Sequence, residues 1–372
     1  MKSVEWGEYR LGDLFEIGNT LSFNADKLVD GDMYDYVTRT SFNQGVLRTT
    51  GFINAENINP SGTWSLGLLQ MDFFYRKKPW YAGQYVRIIN SKINIPLGAI
   101  PFITTILNSQ KSVLLSVLVR NVDKTFNDLV VKLPTKNGDI DFKFMEVFIA
   151  KLEAQRAAEL KDYLLTTGLN DYELTDKEKQ AIDDYDNLVW SSYILKDLFE
   201  KVKTKKLPYK ADVLPKIATG KYVLPCLTSS FKNQGLNYFV PEDGATILKN
   251  VISIPSNSDV YRAYFQSRDF TVLSDAYAIR WNSKEIKISP KHYLFIVLCI
   301  NKVTDLPIYS YKNKLGGWNV VQNKYIQLPI KNNKIDFEYM EVLISAIQKL
   351  IIKDVVLYVD RQIESAKGVL LK

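Results

Sequence analysis

The chain has 372 residues, more than one hydrophobic core usually organises, so at least two domains are expected. Hydrophobic residues make up 46% and charged residues 24%, which excludes disordered, collagen-like and mucin-like architectures. The net charge of +7 is uneven: residues 1–135 carry 14 basic and 12 acidic side chains, 136–189 carry 7 and 13, 190–335 carry 22 and 10, and 336–372 carry 5 and 6. Two basic blocks, each followed by an acidic or neutral stretch, suit polyanion-binding modules joined by non-binding spacers, although lysines that only solubilise the second block would give the same pattern.

Cys226 and Cys299 have no CxxC spacing, which excludes a disulfide framework and points to a reducing compartment. The first residues lack an apolar signal region, and the longest clean apolar run, residues 293–300, is too short for a bilayer. A cytoplasmic chain with no membrane partner is expected.

In chain order, Tyr9-Arg-Leu-Gly-Asp13-Leu14-Phe15-Glu16 opens the first half, followed by a strand at residues 36–38 and a polar loop, Thr38-Arg39-Thr40-Ser41-Phe42-Asn43-Gln44-Gly45. Basic and aromatic residues then alternate from Phe74 to Tyr81, through Arg76, Lys77 and Lys78. Strands are expected at 85–89 and 129–133 from their β-branched and aromatic content, with a short helix around 95–108. A long helix follows from near Asp141 to about Leu165, stopped by Gly168, with Met145, Phe148, Ile149, Leu152 and Tyr163 as its apolar stripe. Thr175 and Glu178 stand in capping-box positions for a second helix.

The same plan then returns. Tyr193-Ile-Leu-Lys-Asp197-Leu198-Phe199-Glu200 repeats the opening motif at an offset of 184, and Thr228-Ser229-Ser230-Phe231-Lys232-Asn233-Gln234-Gly235 repeats the polar loop. Strands are expected at 277–281 and 325–328 and a short helix around 293–301. Residues 328–344 match 133–149 at 11 of 17 positions, at an offset of 195. The final helix is expected from near Asp336 towards Glu364, with Met340, Leu343, Ile344, Ile347, Leu350, Ile351 and Val355 on one face. Ordered matches at drifting offsets indicate two diverged copies of one domain rather than a solenoid. The expected fold is α+β: globular domains at 1–140 and 190–335, long-helix segments at 141–189 and 336–372, and a pseudo-twofold repeat with the long helices antiparallel. A helix of 25–28 residues would be roughly 40 Å long.

Catalytic constellations are missing. His292 is the one histidine, beside an apolar run where a packing role is commonest, and no zinc-ligand spacing or phosphate-binding glycine loop occurs. Asp13, Glu16, Asp197 and Glu200 recur within the repeat and read as structural. The recognition candidates are Arg39, Thr40, Ser41, Asn43, Gln44 and Gly45 in the first loop and Ser229, Ser230, Lys232, Asn233 and Gln234 in the second. Amide side chains pair bidentately with adenine and Arg or Lys with guanine, while hydroxyls contact phosphates or bases; a polar turn kept for folding is the plainer alternative. Arg76, Lys77, Lys78, Arg120, Lys124, Arg268, Lys312, Lys314, Trp318 and Asn319 are candidates for phosphate and sugar contacts.

These motifs, with Leu133-Pro134, Asp141-Phe-Lys-Phe-Met145-Glu146 and the run from Leu152 to Thr175, resemble the DNA-specificity subunit of type I restriction–modification systems, over essentially the whole chain. The nearer likeness is to the BcgI-like branch found in some type IIB systems. The resemblance implies two target-recognition domains, each reading one half of a bipartite double-stranded DNA site. It also implies spacer helices that dock DNA methyltransferase subunits, two in number, here through Met145, Phe148, Leu152, Met340, Leu343, Ile347 and Ile351. S-adenosylmethionine would belong to those partners, with no cofactor or metal on this chain and no catalysis of its own; a restriction subunit is left open. Thr228-Ser229-Ser230 has no arginine to match Arg39, a departure that differing half-sites would require. The alternative from another class is a tandem-domain carbohydrate-active enzyme using paired carboxylates, and a third is a scaffold that reads no sequence.

Overall fold

The computed structural model describes residues 4–370. In the first half the order is β1 (Glu5–Arg10), α1 (Leu11–Leu14), β2 (Phe15–Asn19), β3 (Tyr34–Val37), β4 (Val46–Thr50), β5 (Thr63–Gly67), β6 (Asp72–Arg76), β7 (Trp80–Ala82) and β8 (Val86–Ser91). Then come α2 (Ile100–Ser109), α3 (Lys111–Leu115), α4 (Val122–Asp128), β9 (Val130–Lys136), β10 (Asp139–Ile140) and α5 (Phe142–Thr166). The strands form three small sheets, β1-β9-β10, β2-β8-β5-β6 and β4-β3-β7, antiparallel except for the parallel pair β3 and β7.

After α6 (Asp176–Asp183) the second half repeats this plan. Its elements are β11 (Trp190–Ile194), α7 (Leu195–Leu198), β12 (Phe199–Lys201), β13 (Leu224–Leu227), β14 (Leu236–Val240), β15 (Val251–Pro255), β16 (Tyr264–Gln266), β17 (Thr271–Val272) and β18 (Ala276–Trp281). They end with α8 (Pro290–Thr304), α9 (Trp318–Val321), β19 (Tyr325–Lys331), β20 (Lys334–Ile335) and α10 (Phe337–Leu370). The sheets are β11-β19-β20, β12-β18-β15-β16 and β14-β13-β17, the first half's orders position for position, again with one parallel pair, β13 and β17. The duplication seen in the motifs therefore extends to the strand pairing.

The chain divides into two compact units, Met1–Tyr163 with Leu357–Lys372, and Leu164–Val356. The first unit's core joins α1, the four-stranded sheet and α2–α4 through Leu11, Phe15, Trp64, Phe73, Ile103 and Phe126. Each such large apolar side chain contributes about 1.5–3 kcal/mol on burial. The second unit's core repeats the arrangement with Leu195, Phe199, Ile252, Ile279, Ile296 and Ile300. A single helix, α8, takes the place held by α2 and α3 in the first half. It begins at a capping box in which Ser289 Oγ accepts from the His292 N–H and the His292 ring from the Ser289 N–H, while His292 Nε2 meets the Phe337 carbonyl at 2.9 Å. His292 is thus a packed structural residue.

The long helices start where Asp141 and Asp336 were expected to place them. Each aspartate is an N-cap, its Oδ1 accepting the N–H of Phe144 at 2.8 Å and of Tyr339 at 2.9 Å. α5 closes at Gly168 (φ +68°), with the Leu169 N–H bonded back to the Leu164 carbonyl at 2.8 Å. α10 runs six residues past the expected Glu364. Buried positions recur every seven residues, at Ala150, Ala157 and Leu164 in α5 and at Val359 and Ala366 in α10. Within the first unit Lys161 of α5 pairs with Asp360 of α10 at 2.8 Å.

Part of the expected docking stripe is buried in the domain cores. Met145 and Met340 are fully buried and Leu343 nearly so, all three in the cores of their own domains, and Ile347 packs half-buried against the second core. The first turns of each long helix complete the domain they follow, so Met145 and Met340 offer no surface to a partner, whereas Leu343 and Ile347 reach the wall of an apolar groove. Phe148, Leu152 and Ile351 remain exposed.

Candidate nucleic-acid interface

The two Asn-Gln-Gly segments form one structure twice. Asn43 (φ 48°, ψ 42°) and Gln44 (φ 53°, ψ 31°) are both left-handed, as are Asn233 (48°, 39°) and Gln234 (54°, 31°), and Gly45 and Gly235 follow at φ +80° and +92°. Left-handed backbone costs a non-glycine residue roughly 1–2 kcal/mol, so the surroundings must hold it. The Thr38 N–H donates to the Gly45 carbonyl at 2.8 Å and the Thr228 N–H to the Gly235 carbonyl at 2.9 Å, closing each loop at its neck. A Cβ at Gly45 would stand 3.2 Å from the Thr38 carbonyl oxygen at a φ of +80°, so any other residue would be both crowded and strained there. The turn lifts Phe42, Asn43 and Gln44, and in the second copy Phe231, Lys232, Asn233 and Gln234, into solvent.

Beneath each loop lies a polar anchor that the sequence did not reveal. Arg76, at the end of β6, is only 3% exposed; its Nη2 donates to the Gln44 carbonyl at 2.5 Å and its Nε to Ser65 Oγ at 2.9 Å. Gln266, at the end of β16, donates through Nε2 to the Gln234 carbonyl at 3.1 Å and to Ser253 Oγ at 2.9 Å. Burial lowers the Arg76 guanidinium to about 10, opposed by Asp35, and leaves it cationic at neutral pH. Expected to bind phosphate, Arg76 is instead buried and committed to the loop.

Around the first loop, Arg39 lies over the Tyr85 ring, 5.2 Å from its centroid, and lines a cleft of about 750 Å³ with Thr40, Phe42, Asn43 and Gln84. On the other side Lys77 and Lys78 share a cleft of about 510 Å³ with Asn43 and Gln44, Lys78 pairing with Asp35 at 3.0 Å. Ser41 bonds to Asp72, which also holds Lys111 at 2.6 Å. Lys111 escaped the sequence reading because it opens a short apolar helix. The structure thus gathers Arg39, Thr40, Ser41, Asn43, Gln44, Gly45, Lys77 and Lys78 at one place. Arg120 and Lys124 are exposed on the turn before α4 and on α4, and no recorded contact ties them to the loop.

In the second domain Ser230 Oγ accepts from the Lys232 N–H at 3.1 Å, and Ser258 Oγ donates to the Ser229 carbonyl at 2.8 Å. The adjacent Asp259 accepts the Tyr311 N–H at 2.8 Å, and Lys314 lies 4.6 Å from the Tyr311 ring centroid. The Lys312–Lys314 segment is therefore tied to the recognition loop through residues 258–259, a link the sequence did not show. Arg268 is exposed on the turn after β16 and Asn319 on α9, whereas Trp318 packs half-buried against Tyr277, more core than contact. Glu200 is engaged by Arg280 at 2.5 Å. Among the described residues no cluster of His, Cys, Asp or Glu could hold a metal, and no helix is long and apolar enough to cross a membrane.

One polar loop on one mixed domain, present twice, defines a duplicated recognition protein. The chain matches the type I restriction modification DNA specificity domain over residues 3–162 and again over 187–356, and it belongs to that family. It is a DNA-recognition subunit that leaves catalysis to others, and the carbohydrate-enzyme alternative is not favoured. The fold is shared with the crystal structure of the type I restriction–modification S subunit from M. genitalium, at a TM-score of 0.58 and 13% identity, covering 100% of this chain and 95% of that one. Further matches are a structure reported for the complex assembly and conformational transition of the type I R-M system (TM-score 0.37, 12% identity, 99% and 96% covered) and the HsdS subunit from Thermoanaerobacter tengcongensis (0.32, 13%, 98% and 95%). A search of curated proteins finds no match.

Proposed function

We propose that each domain reads one half of a two-part duplex site through its left-handed loop. The domains are bounded as 1–140 and 190–335, and residues 141–189 and 336–372 serve as spacers. The observation that carries this is the matching Asn-Gln-Gly backbone at 43–45 and 233–235. Asn43 and Asn233 offer amides for base edges, Arg39, Thr40, Ser41, Ser229, Ser230 and Lys232 flank them, and Lys77, Lys78, Lys312 and Lys314 neutralise phosphates. Arg120, Lys124, Arg268 and Asn319 contribute at the margins.

Two methyltransferase subunits, carrying S-adenosylmethionine, dock on exposed apolar positions of the long helices, Phe148 and Leu152 on α5 and, separately, Leu350 and Ile351 on α10. An apolar groove of about 690 Å³ lined by Trp190, Phe295, Leu298, Ile347 and Leu350 extends the α10 positions within the second unit. The run from Leu152 to Thr175 favours the BcgI-like branch. The setting is the cytoplasm, which suits two buried thiols, Cys226 and Cys299, that burial pushes up to about 12 and about 11.

The test is selection from randomised duplexes by the chain assembled with its methyltransferase subunits. A two-part sequence with an indifferent gap is expected, with binding that falls steeply as salt rises. Enrichment of one uninterrupted sequence, or of none, contradicts the proposal.

A further inference from the structure

The two loops are held at one equivalent point by two different side chains. Arg76 pairs in register with Thr63 of β5, and Ser65 stands two residues further along that strand. Gln266 pairs in register with Val251 of β15, and Ser253 again stands two residues further along. Both side chains donate to the carbonyl of the second left-handed residue, Gln44 or Gln234, and to the serine hydroxyl. We propose that Arg76 and Gln266 are positioning residues that latch the recognition loops from below, and that a guanidinium and an amide are interchangeable in this role.

The chemistry supports the exchange. A side-chain amide carries two N–H donors on one nitrogen, one for each acceptor, and the guanidinium presents the same pair as part of its fork. The Gln44 carbonyl is turned towards the domain by the left-handed backbone, where Arg76 supplies its donor and losing that donor would leave it unpaired. The guanidinium also fills the space under the glycine, since a Cβ at Gly45 would lie 3.4 Å from Arg76 Nη2. Without the latch, the two strained peptides can relax and the Asn43 amide loses its fixed direction.

The inference rests on the proposal that these loops read DNA, and the experiment separates the two. The full chain, assembled with its methyltransferase subunits, is used to select from randomised duplexes as Arg76→Ala, Arg76→Gln, Gln266→Ala and Asn43→Ala. Arg76→Ala should lower discrimination at the first domain's half-site about tenfold and leave the other half-site intact, with Gln266→Ala giving the mirror result. Arg76→Gln, which installs the second copy's own solution, should stay within about twofold of the parent. Should Arg76→Ala fail to fold, Gln266→Ala and Arg76→Gln decide the matter. A half-site altered by Asn43→Ala but untouched by Arg76→Ala overturns the latch alone, and an Arg76→Gln variant as impaired as Arg76→Ala overturns the exchange. If both Asn43→Ala and Arg76→Ala are silent, the loop does not read DNA and the latch falls with it.

Discussion

Asn43 stands at the apex of the first loop with its amide within reach of both clefts beside it, and its Nδ2 also donates to the Val46 carbonyl at 3.1 Å. One amide hydrogen is therefore committed to shaping the turn, while the carbonyl oxygen and the other hydrogen are presented outward. Asn43→Ala is expected to cost about 1–3 kcal/mol at a single base position of one half-site, read by competition between duplexes differing at that position. A loss spread evenly over all sequences would make Asn43 a backbone contact instead. The loop itself was legible, since Asn followed two residues later by Gly is a turn signal. Its left-handed glutamine was not, because nothing local favours that conformation in Gln44; the anchor beneath imposes it. Arg76 was misread for a related reason. Beside Lys77 and Lys78 it looks like part of a basic patch, and only the pairing of β6 with β5 turns it inward.

At the scale of elements, the segment between the domains is fastened by one cation. Lys349 of α10 meets Asp171 at 2.8 Å, Glu178 at 3.1 Å and the Glu173 carbonyl at 2.8 Å, which ties the 171–178 stretch to the helix. Burial pushes the Glu178 carboxyl up, but the Thr175 N–H and hydroxyl and the Lys349 ammonium outweigh it and hold it below the usual range; the hydrogen bond from Lys349 does the same for Asp171. The bond with Asp171 in turn raises Lys349. Depressed carboxylates stabilise the fold above their ordinary range and lose that effect on acidification, while a raised lysine loses it on strong alkalinisation. The cluster should therefore act between about pH 5 and pH 10. Lys349→Met should lower stability to denaturant at pH 7, with the gap to the parent closing below about pH 4. A gap independent of pH would mean that the lysine acts through packing alone.

The helices themselves were legible from apolar spacing and their aspartate caps, within a residue or two at their starts. The division of labour along them was not. One stripe serves the domain core in its first turns, at Met145 and Met340, and a different face is exposed further on. The seven-residue recurrence of Ala150 and Ala157 stayed hidden because alanine hardly registers in a hydrophobic pattern.

For the whole molecule, the repeat was the most informative feature of the sequence, and it holds in strand order, in the parallel pairs β3–β7 and β13–β17 and in the loops. What the two copies do not share is the chemistry beside the loop: Arg39 against Ser229, Arg76 against Gln266, and a turn at residues 68–71 where the second copy has 256–263. Common architecture with divergent surfaces is what two readers of different half-sites require. The direct test replaces residues 190–327 with a second copy of the matching residues 6–132, leaving both long helices untouched, and selects from randomised duplexes with the assembled complex. The account predicts that the second half-site becomes an inverted copy of the first while the gap length stays the same. Retention of the parent's second half-site, or a change at both halves together, would contradict it.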